Sequence, residues 1–145
     1  MESSGTVALK KIFDEYGSSH QHPVNVLIHR FAVPLIQFSL MGLLDCIPGP
    51  IPWMWILVAG GLFYYLQFRN VKLMAVVLGM VLVMAYAVQL IDQDRWQYFA
   101  TVFVVSWIFQ FIGHSIEGKK PSFLQDLQFL LIGPAWVTGR FIRYY

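Results

Sequence analysis

Leu73-Met74-Ala75-Val76-Val77-Leu78-Gly79-Met80-Val81-Leu82-Val83-Met84-Ala85-Tyr86-Ala87-Val88-Gln89-Leu90-Ile91 carries no charge from end to end. The run shows no period-2 alternation. Its length, near the ~20 residues that span a bilayer core as a helix, predicts a transmembrane helix. Three similar segments surround it, at about residues 26–44, 53–68 and 96–112. The breaks at Arg69-Asn70-Val71-Lys72 and Asp92-Gln93-Asp94-Arg95 are only about four residues long, which forces antiparallel neighbours. Ile47-Pro48-Gly49-Pro50-Ile51-Pro52 supplies the turn between the first two.

Composition agrees. The 145 residues are 57% hydrophobic and 12% charged, about half the charge of an ordinary soluble domain. Disorder is excluded by the 17% aromatic content. A net charge of +2 with scattered basic residues argues against a nucleic-acid module, so no nucleic-acid partner is expected. A single cysteine, Cys46, rules out an intrachain disulfide. The fold expected is all-α, one membrane domain over residues 1–145 with four transmembrane helices.

Two further elements flank this bundle. Val7-Ala8-Leu9 and Ile12-Phe13, at helical spacing behind Ser3 and Ser4, predict a short amphipathic helix at the membrane surface. The apolar stretch at 123–137 is short for a crossing and holds Gly133-Pro134, which breaks or kinks a helix. An interfacial or re-entrant helix is expected there. With four crossings, Lys10, Lys11, Arg30, Arg69, Lys72, Lys119, Lys120, Arg140 and Arg143 fall on one side and only Arg95 on the other. A crossing at 123–137 would reduce nine against one to seven against three. The positive-inside rule then puts both termini in the cytoplasm, in a bacterial inner membrane or the endoplasmic reticulum of a eukaryote.

The same topology collects all four histidines, His20, His22, His29 and His114, at that cytoplasmic face. Imidazole is the commonest metal ligand, and ionisable groups within a membrane bundle are costly. Each histidine alone reads as an interfacial polar group. As a set drawn from separate elements, they read as a metal site. His114 and Glu117 stand at i, i+3 on one helix face, so Glu117 is either a ligand, an orienting carboxylate, or a surface partner of Lys119 or Lys120. There is no glycine-rich phosphate loop. Cys46, Asp92 and Asp94 fall on the opposite side from every histidine. The Gly60-Gly61 pair and Gly79 read as helix packing.

Two blocks carry a family resemblance. One is Tyr16-x-x-x-His20-x-x-Pro23-x-Asn25-Val26-Leu27-Ile28-His29, continuing to Val33-Pro34. The other is Trp107-Ile108-Phe109-Gln110-Phe111-Ile112-Gly113-His114, followed by Glu117, Lys119, Lys120 and Pro121. In these blocks the chain resembles the membrane-embedded 2-hydroxy-fatty-acid dioxygenases. The resemblance implies Fe2+-dependent α-oxidation: a 2-hydroxy fatty acid and O2 give the acid one carbon shorter plus CO2. It places the metal on His20, His29 and His114, with His22 a further candidate that the family pattern does not require. Glu117 takes the acidic, catalytic position. Asn25, Lys119 and Lys120 are candidates for binding the substrate's polar head, and Arg30 and Arg140 for its carboxylate; the four basic residues read equally as positive-inside residues. Four histidines suffice for one iron and are too few for the histidine boxes of membrane desaturases. The rival expectations are a non-enzymatic lipid- or metal-binding membrane protein and a zinc hydrolase using the same histidines.

Overall fold

The computed structural model describes residues 4–18, 20–118, 132–133, 135–139, 142 and 144. Within residues 4–118 five helices are described in order: α1 (Ser4–Ser18), α2 (Pro23–Asp45), α3 (Trp53–Leu66), α4 (Val71–Gln89) and α5 (Arg95–Glu117). No strand occurs among the described residues. Among the described residues three helices, α2, α4 and α5, are long and apolar enough to cross a membrane. The fourth expected crossing is shorter than the sequence suggests. The helix of α3 stops at Leu66, and 14 residues at 1.5 Å each reach only about 21 Å of a ~30 Å core.

Local signals set the helix ends. Pro23 occupies the first position of α2, where its missing N–H costs nothing, and the His22 side chain caps it by accepting from the Val24 N–H at 3.3 Å. Asn70 caps α4 through the Leu73 N–H at 3.0 Å. Gly118, at φ 72°, ends α5 in the left-handed conformation that glycine adopts without strain. The last helix thus runs past the expected Ile112 and carries Gly113, His114 and Glu117 as regular helix.

The bundle is built on an antiparallel α2–α5 pair. Small residues let the two backbones approach closely. A Cβ at Gly42 would overlap the Phe99 ring, and one at Gly113 would overlap the Asn25 amide oxygen. Ala32, Ser39 and Ser106 are buried along the same seam. At the far end, Asp45 Oδ2 takes Arg95 Nη2 at 2.7 Å and Gln89 Nε2 at 3.0 Å, joining the ends of α2, α4 and α5. The outer faces stay apolar and uncovered, as at Phe63 (76% exposed) and Val83 (69%). A soluble bundle would bury such side chains; lipid need not exclude them.

The opposite end holds α1. It buries Gly5, Leu9, Phe13 and Tyr16, one stripe of an amphipathic helix, and presents Lys10, Lys11, Asp14 and Glu15 outward. Gly5 is pressed against the Phe68 carbonyl. Asn70 Nδ2 donates to the Tyr144 carbonyl at 2.7 Å, so the α3–α4 turn and the C-terminal residues share this end. Most of the expected 123–137 element lies outside the described residues. Its described part, 132–133 and 135–137, is helical and continues to 139. Gly133 meets Val33, one turn beyond His29 on α2, and Trp136 meets Tyr16 and His20.

Candidate metal centre

His20, His29 and His114 converge. Each offers a ring nitrogen, and these atoms all lie within 4.8 Å of one another. All three rings are buried, at 4%, 1% and 4% exposure. Ring centroids stand 4.3 Å apart for His20–His29, 4.9 Å for His29–His114 and 5.6 Å for His20–His114, each pair edge to face. The three come from separate pieces of chain: the link after α1, the second turn of α2 and the last turn of α5.

The tautomers of two rings follow from their partners. His20 Nδ1 lies 2.7 Å from the Tyr16 carbonyl and His29 Nδ1 lies 2.9 Å from the Asn25 carbonyl. A carbonyl only accepts, so each Nδ1 donates and each Nε2 carries the lone pair. This is the carbonyl-anchored arrangement usual for metal-binding imidazoles. His29 Nε2 is buried with no hydrogen bond of ordinary geometry, the Gln110 side chain beside it. A buried imidazole nitrogen whose polar neighbour is a side-chain amide suits a cation. Two metal–nitrogen bonds of about 2.1 Å at a tetrahedral angle separate their donors by roughly 3.4 Å, so atoms within 4.8 Å of one another need close by no more than about 1.4 Å.

Neutral nitrogen donors select a divalent transition metal over calcium or magnesium. Three ligands leave coordination positions for other molecules. The residues fit a resident iron, and they fit zinc as well.

Not every candidate joins the cluster. His22 is exposed and spends its imidazole on the α2 cap. Glu117 also stands apart. Its Oε1 accepts the Gln21 N–H at 3.0 Å; its Oε2 accepts the His22 N–H at 2.8 Å and Asn25 Nδ2 at 3.1 Å. Asn25 is fully buried. Lys119 and Lys120 lie outside the described residues.

Tyr16, Gln110 and Trp136 complete the surroundings. Tyr16 stacks on His20 with centroids 4.1 Å apart and planes 7° apart, and Trp136 stands 5.7 Å from the same ring. Gln110 is buried one turn before His114. The i, i+4 spacings Tyr16–His20 and Gln110–His114 are the signals that mark them. A polar cleft of about 560 Å³, lined in part by Asp14, Ser18, Gln21 and Trp136, opens onto His20. An apolar groove of about 330 Å³, lined by Leu27, Phe31, Leu35, Val105 and Phe109 among others, runs along the outer face of the α2–α5 seam.

Fold and geometry together define a small helical protein with membrane-length helices and three buried histidines that converge near one end, a set that could hold a metal ion. The Mpo1-like family model, described as 2-hydroxy-palmitic acid dioxygenase Mpo1-like, matches residues 69–143, which include His114. The chain is also 32% identical over 143 residues to the 2-hydroxy-palmitic acid dioxygenase MPO1 of Saccharomyces cerevisiae, covering 95% of this chain and 82% of that protein. The chain belongs to the Mpo1-like family. No solved structure matches it.

Proposed function

We propose that the protein oxidises 2-hydroxy fatty acids with O2 at an iron ion held by His20, His29 and His114. The observation that carries this reading is the convergence of three buried imidazoles, from three separate segments, within 4.8 Å in a membrane protein of this family. A bound redox-active ion supplies the activation of O2. The chain's own part is to hold the histidines in one tautomer, keep them out of bulk water and bring a lipid acid to them. The reaction is balanced without an outside reductant: R–CHOH–COOH and O2 give R–COOH, CO2 and H2O. The C1–C2 bond breaks, C2 becomes the new carboxyl carbon, and O2 takes up the four electrons.

The apolar groove beside the α2–α5 seam supports a substrate with an alkyl chain. In the topology proposed with this function, α3 completes a fourth traverse, both termini face the cytoplasm, and the segment around 132–139 is re-entrant.

Oxygen uptake tests the activity. Protein reconstituted anaerobically with Fe(II) and given 2-hydroxypalmitate is expected to consume one O2 per acid and to yield the fifteen-carbon acid. No uptake overturns the oxygenase reading, and ester or amide hydrolysis in its place would establish the zinc alternative, since three histidines also serve catalytic zinc. Topology has its own test. Cys46, the sole cysteine, follows Asp45 at the end away from the histidines. A membrane-impermeant maleimide is expected to label it from the face opposite both termini, and labelling from the same face overturns the four-traverse arrangement.

A further inference from the structure

We infer that Glu117 is the positioning residue of the metal centre, a clamp that holds the three histidine-bearing segments in register without ligating the ion. This rests on reading the three histidines as a metal site. Glu117 lies three residues after His114 on α5. Its carboxylate reaches across to two other segments. The N–H groups of Gln21 and His22 fix the link immediately after His20. Asn25 Nδ2 fixes the first turn of α2, and the carbonyl of that same Asn25 accepts from His29 Nδ1. One side chain therefore joins the elements carrying His20, His29 and His114.

The placement is electrostatically selective. A carboxylate in the last turn of its own helix meets the negative end of that dipole. Here it is turned to the positive N-terminal end of α2 instead. The fit is also steric. Asn25 keeps its place because Gly113 has no side chain to displace its amide oxygen. With both carboxylate oxygens engaged by three N–H donors, Glu117 stands outside the histidine cluster.

Cobalt(II) binding to the full chain in detergent tests the clamp. Glu117→Gln keeps the size of the side chain but turns one acceptor into an N–H₂ facing donors. It is expected to weaken Co(II) affinity 10- to 100-fold, with the form of the ligand-field spectrum unchanged. Asp45→Asn, at the far end of the bundle, is expected to lower the melting temperature while leaving Co(II) affinity as in the wild type. Asn25→Asp alone is expected to weaken binding as Glu117→Gln does, and the double variant to recover part of the loss, because the amide and carboxylate have exchanged ends of one hydrogen bond. If Glu117→Gln fails to fold, the Asn25→Asp pair of measurements decides. Affinity within threefold of wild type in both single variants overturns the clamp, and a changed spectral form in Glu117→Gln overturns it in favour of a carboxylate ligand. Wild-type protein that takes up no Co(II) overturns the metal reading itself.

Discussion

His29→Ala purified in detergent is expected to hold less than about a tenth of an equivalent of iron, with affinity reduced by more than the ~100-fold that loss of an outer-shell partner can cost. The reason is the small donor set. Among the described residues, three nitrogens are placed to share an ion, and removing one leaves two imidazoles on different elements. The fold is expected to persist. The apolar core rests on Leu9, Met41, Met54, Phe68, Leu73, Phe99 and their neighbours, and His29 contributes a nitrogen with no ordinary hydrogen bond. Its deletion therefore removes a buried polar liability along with some packing. Far-UV circular dichroism should match the wild type while elemental analysis finds no stoichiometric metal. His114→Ala should behave alike. His22→Ala is the internal contrast: its imidazole is exposed at the α2 cap, so stability should fall by about 0.5–2 kcal/mol with metal content unchanged. Full metal retention in His29→Ala, or loss in His22→Ala, would sink the assignment.

Gly113→Ala should damage the site from a position that bears no chemistry. An added Cβ overlaps the amide oxygen of fully buried Asn25 and comes within 3.4 Å of His29 Cε1. Two effects compete in stability. Alanine in a helix is favoured over glycine by about 1 kcal/mol, whereas overpacking a filled seam costs about 1–3 kcal/mol. The second should win, because Asn25 is tied to Glu117 at 3.1 Å and has nowhere to retreat. A net loss of stability and a 10- to 100-fold weaker metal affinity are expected, read by thermal melting and metal competition. Gly79→Ala supplies the comparison. Its Cβ meets nothing within 4 Å, so the propensity gain stands alone and the melting temperature should rise with metal binding intact. Equal behaviour of the two variants would show that the α2–α5 approach at Gly113 is looser than its geometry indicates.

Much of this architecture was legible in the residues. Leu73–Ile91, without charge, announced a membrane helix because no aqueous surface would tolerate it. His20, His29 and His114 were legible as a set because an even number of traverses was expected to return the chain to one face, and the three rings do converge. The length of α3 was less legible. The apolar run continues to Phe68, but hydropathy does not distinguish helix from the turn residues Gln67 and Phe68 that end it.

The roles of His22 and Glu117 could not be read from spacing. His22 lies two residues from His20 and seven from His29, yet its ring turns to the α2 cap, because the direction of a side chain before a helix depends on the capping geometry. Glu117 shares a helix face with His114, and i, i+3 spacing is equally compatible with ligation. Only the tertiary structure brought the Gln21 and His22 N–H groups and Asn25 to its oxygens, contacts that join residues more than ninety positions apart. The sequence by itself determined a helical membrane protein with its histidines at one end, because hydrophobic length and charge sorting are properties of segments. The tertiary structure alone decided which imidazoles meet and what the carboxylate holds, because those depend on how closely two helices approach, and that distance is set by Gly42, Gly113 and the side chains they admit.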